Sequence, residues 1–294
     1  EGLVAAGNIF MGMTESPVLI KNYLPTMNRS EIFLVMVSGM GTIAGSVMGT
    51  YIGMLGGTDP AAKVLFATHL LSASVMAVPG SIVLAKMLCP QTEEATDHVA
   101  ISGKEKENSN ILDAISSGTV TGVKLMTNIA AMLLVFISLV ALANYITEGV
   151  IGRYTGLNDW IVKITDGKAQ GLTFQFILGV ITSPFMWLIG VPSQDIMLVG
   201  SLLGQKTILN EFVAYFQLQQ WKDAGLFMYE KSILMSTYIL CGFANISSIG
   251  ILLGGLGVLA PEKRGLISRI GVPAMIGGAL VSVLSATIIG MILG

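Results

Sequence analysis

The chain has 294 residues, a formal net charge of −2, 53% hydrophobic residues and only 12% charged ones. Ordinary soluble domains carry about 25% charged residues, and a soluble fold this apolar would expose large contiguous patches. Mean hydropathy of +0.75 and 35 glycines point to an all-α integral membrane protein in a lipid bilayer. No basic cluster is long enough to serve as a nucleic-acid footprint, so nucleic acid is not expected as a partner.

The first element is a short broken segment, GNIFMGMTESPVLIKNYL (7–24). Its glycines and proline predict a turn, and it holds a carboxylate, Glu15, among apolar residues. Spanning a membrane takes about 17–25 apolar residues. Residues 32–54 and 62–88 meet that length, the first interrupted at GMGTIAGSV (39–47) and the second closed by Cys89-Pro90. A polar loop over 90–118 follows, and then 123–147, the plainest lipid-like helix in the chain. Beyond a polar patch at 152–170 lies 172–190, with Pro184 inside it. Residues 196–221 are short and polar at their middle, 232–259 are interrupted by GFANISSIG (242–250), and 266–293 form a plain final span.

The interruptions pair up. A broken segment with Thr14-Glu15-Ser16 at its turn precedes a span broken at 39–47. Later, a broken segment with Asn210-Glu211-Phe212 at its turn precedes a span broken at 242–250. Matching interruptions in two halves are the best sequence pointer to a transporter site at the membrane midplane. Non-helical backbone survives at that depth only where protein or a water-filled cavity satisfies it. The fold expected is an inverted-repeat transporter with two re-entrant helical hairpins and two partly unwound transmembrane helices.

An acidic residue at a helix centre costs about 2.5–3.5 kcal/mol on insertion scales, so Glu15 and Glu211 are the informative carboxylates. A solvated hairpin turn at the membrane surface is the plain alternative for each. Asn245 and Ser248 lie three apart, on one face if that segment is helical. They suit either interhelical hydrogen bonding or, with the two carboxylates, a polyhydroxylated solute. Asn8 and Thr42 offer hard oxygen ligands for a small cation, or ordinary capping of broken helix ends. Phe243 and Val47 fit the flat face of a ring, or packing. Lys86, Lys206 and Arg29 are expected at the interfaces, where long cationic chains snorkel. Trp160, Trp187 and Trp221 fall near segment ends, as an aromatic belt expects. Cys89, Cys241, His69 and His98 show neither metal-ligand spacing nor a disulfide framework. There is no nucleophile paired with a base, so an enzyme is not expected.

Five pieces together resemble the concentrative nucleoside transporter family. They are residues 7–24, RSEIFLVMVSGMGTIAGSVMGTYI (29–52), LLSASVMAVPGSIVLAKMLCPQTE (70–93), GVPSQDIMLVGSLLGQKTILNEFVAY (190–215) and YILCGFANISSIGILLGGLGVLAPEKR (238–264). The resemblance implies a multi-pass homotrimer of the plasma membrane that takes nucleosides into the cell by cation-coupled symport. The cation is expected to be Na⁺, with H⁺ as the alternative and no other cofactor. A related gate-domain protein without nucleoside transport is the other reading. The chain opens on Glu1 inside a motif, and the family carries further N-terminal helices before it, so a fragment is expected. Residues 1–110 would form the first half of a transport domain, 111–170 an amphipathic helix and a long scaffold helix, and 171–294 the second half.

By the same match, Glu211, Asn245 and Ser248 would bind the ribose, with Phe243 at its border. Thr14 and Glu15 would face the base, with Val47 nearby. Na⁺ would take the side chains of Asn8 and Thr42 and the carbonyls of Met11 and Ile43. Met13 stands where many members carry Gln, which leaves pyrimidine or purine preference open.

Overall fold

The computed structural model describes residues 1–93, 110–165, 167 and 169–294. Most of the polar loop expected over 90–118, His98 included, lies outside the described residues. Regular structure among the described residues is entirely helical.

The described chain forms two compact units, Glu1–Val99 with Gln175–Gly294, and Ala100–Phe174. The first opens with α1 (Gly2–Gly7) and a 3-10 turn (Ser16–Ile20). Helix α2 (Arg29–Gly41) starts at a reciprocal cap. The Asn28 side chain accepts from the Glu31 N–H at 3.0 Å, and the Glu31 carboxylate accepts from the Asn28 N–H at 2.8 Å. It stops at Thr42, whose extended backbone (φ −123°, ψ 169°) ends the helical ladder. The chain resumes as α3 (Gly45–Gly56) and then α4 (Pro60–Leu88), which begins with Asp59 as cap and proline in its first turn.

The second unit contains α5 (Ile111–Asn144), a π-helical stretch (Tyr145–Gly152), α6 (Arg153–Thr155) and α7 (Leu157–Ile164). Asn158 pins this end of the unit. Its amide donates to the Glu148 carbonyl at 3.0 Å, and its oxygen accepts from the Leu172 N–H at 3.0 Å.

The first unit resumes with α8 (Phe174–Leu188), α9 (Ile196–Ile208), α10 (Glu211–Asp223) and α11 (Glu230–Leu240). It ends with α12 (Ile246–Leu259), a 3-10 turn (Pro261–Lys263) and α13 (Arg264–Ile292). Among the described residues, three stretches are long and apolar enough to cross a membrane: Arg29–Gly56, Pro60–Leu88 and Pro261–Ile292. They coincide with the spans expected at 32–54, 62–88 and 266–293. Helices α8, α9 and α12 are apolar but only 15, 13 and 14 residues long, short of the roughly 17 that a crossing requires.

Lipid tails are as apolar as leucine, so helices associate in a bilayer through close packing of small residues. Helix α13 is built that way, burying Gly271, Ala274, Gly278, Ser282, Ser285 and Ala286. A β-carbon at Gly278 would stand 2.7 Å from that of Met40, and one at Gly271 would stand 2.6 Å from Ile249. Helix α13 thus packs against both interrupted spans, α2 and α12, while its far end meets Met235 of α11 at Gly290.

Candidate functional site

The two interruptions meet. Residues 42–44 separate α2 from α3, and residues 241–245 separate α11 from α12. The Phe243 N–H donates to the Thr42 carbonyl at 3.2 Å, joining one break to the other. Such an approach requires Gly242, where any β-carbon would lie 2.9 Å from the Met40 carbonyl oxygen. Phe243 is half-buried against both hydrophobic clusters of the unit. Four helix ends therefore converge, and each end leaves backbone groups without intrahelical partners.

At the second break those groups are met by a charged network. Asn210 caps α10 by accepting from the Val213 N–H at 2.9 Å, which puts Glu211 in the first turn, the helix end that favours an anion. Glu211 is only 8% exposed. Its carboxylate accepts from the Tyr51 hydroxyl at 3.3 Å and from the Asn245 amide at 2.8 Å. Tyr51 is held in turn by stacking on Tyr215, with ring centroids 4.1 Å apart. Asn245 caps α12, its oxygen accepting from the Ser248 N–H at 2.9 Å and from the hydroxyls of Ser248 and Ser247 at 3.0 and 2.6 Å. An ionised carboxylate has about four lone-pair sites, so Glu211 keeps acceptor capacity beyond its two protein partners.

The first break is met by neutral groups. Asn8, Ser16, Ser38 and Thr42 are all buried. Ser16 donates to the Asn8 oxygen at 2.6 Å, the Asn8 amide donates to the Ser38 hydroxyl at 3.0 Å, and the Thr42 hydroxyl donates to the Ser38 carbonyl at 3.0 Å. The Gly45 N–H donates to the Phe10 carbonyl at 3.0 Å, tying the first turn to this break. Among the described residues, no backbone N–H donates to the carbonyls of Met11 or Ile43. Neutral oxygens gathered at one place fit a small hard cation. Among the described residues, no group of three His, Cys, Asp or Glu exists that could hold a metal ion.

The remaining expected residues lie around the tip of the first turn. Glu15 is exposed at the start of the 3-10 turn and folds over Gly12, and it takes no part in the Glu211 network. Thr14 packs against Gly255 of α12, seven residues and about 10 Å along the helix from Ser248. Met13 is buried against Gly39 of α2, and Val47 is half-buried at the start of α3.

Sequence reasoning missed Tyr51, Ser16, Ser38 and Ser247 in these networks, and it misplaced Lys206. Lys206 was expected to snorkel at an interface. Instead it is fully buried, donating to the Ile239 carbonyl at 2.7 Å and to the Ser282 hydroxyl at 2.8 Å. A usable signal was its place on an apolar segment only five residues before Glu211.

The family model described as "Na+ dependent nucleoside transporter C-terminus" matches residues 69–290. An uncharacterized transporter of Haemophilus influenzae is 39% identical over all of this chain and 66% of its own length. Sodium/nucleoside cotransporter 1 of Rattus norvegicus is 39% identical over 99% of this chain and 44% of its own. The structure of CNTnw in an inward-facing substrate-bound state aligns with a TM-score of 0.83 at 37% identity, covering 98% of this chain and 63% of that one. The chain therefore spans less than two thirds of the length of the relatives it matches.

Proposed function

The chain belongs to the Na⁺-dependent nucleoside transporter family, and from that premise we propose that it carries the site of a Na⁺-coupled nucleoside symporter. The observation that carries the reading is the Glu211 carboxylate, buried where the two breaks meet and held by Tyr51 and Asn245. It accepts hydrogen bonds from the vicinal hydroxyls of a ribose, with Ser248 beside it and Phe243 at its border. Thr14, Glu15 and Val47 face the base, with Met13 behind them. Na⁺ is cargo as well as counter-charge, taking the oxygens of Asn8 and Thr42 and the carbonyls of Met11 and Ile43. The Ser38 and Ser16 hydroxyls orient Asn8.

In this reading the two hairpins are re-entrant and the halves are inverted repeats. The first unit is the moving transport part and α5 belongs to a scaffold that assembles as a homotrimer in the cell membrane. Binding ion and nucleoside at one crossing couples them, because both are held by residues of the same two breaks. A ~100 mV potential supplies ~2.3 kcal/mol per charge. A tenfold sodium gradient adds about 1.4 kcal/mol. Their sum, ~3.7 kcal/mol, sustains roughly a 500-fold nucleoside gradient.

The test is uptake of radiolabelled uridine and adenosine by the full-length protein in proteoliposomes, with sodium replaced by choline and pH varied separately. Uptake of at least one nucleoside that collapses in choline is expected. Uptake indifferent to sodium but steep in pH would replace Na⁺ by H⁺ as the coupling ion, and no uptake of either nucleoside would defeat the reading.

A further inference from the structure

Lys206 is a cation that transport as described above leaves unused. It is 0% exposed on α9, and both of its contacts are to lone pairs. One is the Ile239 carbonyl. The other is the Ser282 oxygen, whose own hydrogen goes to the Ala279 carbonyl at 2.8 Å. Among the described residues no carboxylate forms an ion pair with it. Glu211 acts on it electrostatically only from beyond contact distance, and taking an ammonium out of water without a touching carboxylate is costly, so the groups it touches share the compensation.

The compensation lies in what Ile239 is. It is the next-to-last residue of α11, and the final carbonyls of a helix carry concentrated partial negative charge. Lys206 thus joins three elements at the second break: α9, which leads into Glu211; α11, which leads into Asn245; and α13. The 2.8 Å hydrogen bond between Asn245 and Glu211 depends on the register of α10 against α12. The first break has the same need at the end of α2, yet its side-chain partners Asn8, Ser38 and Thr42 are all uncharged.

We propose that Lys206 is a tethered cation, the fixed counterpart at the second break of the mobile cation at the first. It acts as a positioning residue for Glu211 and Asn245. The comparison with a mobile cation rests on the transport reading above. The arrangement divides the work: the second break carries its own cation, and the first takes one only when Na⁺ arrives.

Two substitutions in the full-length protein test this. Lys206→Met keeps most of the volume and removes the charge. It is expected to weaken uridine binding about tenfold or more, while the sodium concentration giving half-maximal thermal stabilisation without nucleoside stays within about twofold of the parent's. Lys206→Ala leaves space for a small alkylammonium ion. Methylammonium is expected to raise its Tm and restore uridine binding, whereas the larger choline does neither and the parent responds to neither. Two results would overturn the proposal: a Lys206→Met protein that binds uridine within about twofold of the parent, or a Lys206→Ala protein whose Tm ignores methylammonium. The Tm response is read without nucleoside, so it decides the role of Lys206 even if the parent binds no nucleoside and the transport reading fails.

Discussion

The first and second breaks differ in how they satisfy the same backbone problem. Each ends a helix in the interior and starts another, and each is approached by a turn that carries a carboxylate. At the first, the partners are neutral side chains, the carbonyls of Met11 and Ile43 receive no backbone N–H from the described residues, and Glu15 is exposed. At the second, Lys206 meets the helix end, and Glu211 is buried between Tyr51 and Asn245. The local reason is the element behind each carboxylate. Glu15 precedes a 3-10 turn of 5 residues, while Glu211 opens an α-helix of 13. The longer helix packs on α3 and meets Tyr51. Ahead of the shorter one, Thr14 reaches α12 at Gly255, which has no side chain to offer. Equal motifs can thus become one break lined by charged groups and one lined by neutral oxygens.

The sharpest way to break that comparison is to neutralise each carboxylate in turn. A hydrogen bond to a charged group is worth about 1.5–3 kcal/mol, so Glu211→Gln should weaken uridine binding by roughly tenfold or more. Glu15→Gln, at an exposed position, should cost less than about tenfold. Titration calorimetry on the full-length protein separates the two, and equal losses would erase the asymmetry.

A smaller effect tests how the first turn is anchored. Met13→Gln places an amide against Gly39 in an apolar interior, where an unsatisfied polar group costs about 1–3 kcal/mol. A lower Tm is expected. An unchanged Tm with an altered uridine-to-adenosine ratio would mean that this position faces the base and not α2.

Asn8→Ala should raise the half-maximal sodium concentration about tenfold. Uridine affinity at saturating sodium should then stay close to the parent's. Loss of both in proportion would show that the first break is structural. The smallest change is expected from Ser248→Ala. It removes one hydroxyl from the Asn245 oxygen and leaves the backbone N–H in place. A hydrogen bond is worth about 0.5–1.5 kcal/mol net, so uridine affinity should fall about two- to tenfold.

Parts of this site were legible in the sequence because their signals are local. Gly242 interrupts the helix, and Asn245 three residues before Ser248 is a capping pattern that the structure contains. The capped turn before Glu211 is local in the same sense. Tyr51 gave no comparable signal, because the residue it serves lies 160 positions away. Ser38 gave none either, because its role comes from Asn8, 30 positions earlier. Lys206 was misread for a physical reason. Length and charge suggest snorkelling toward water, and only the end of α11, 33 residues on, supplies an interior alternative.

The sequence by itself determined the solvent, the class and the places where helices must stop. Those depend on composition and on the conformational limits of a few neighbouring residues, which no partner is needed to impose. Tertiary structure alone decided that the two stops touch, and that one carboxylate is buried while the other is exposed. It also placed an ammonium against one helix end and neutral oxygens against the other. The reason is that a buried polar group takes whichever partner the fold brings within about 3 Å, and that distance is set by the close packing of α13 against α2 and α12.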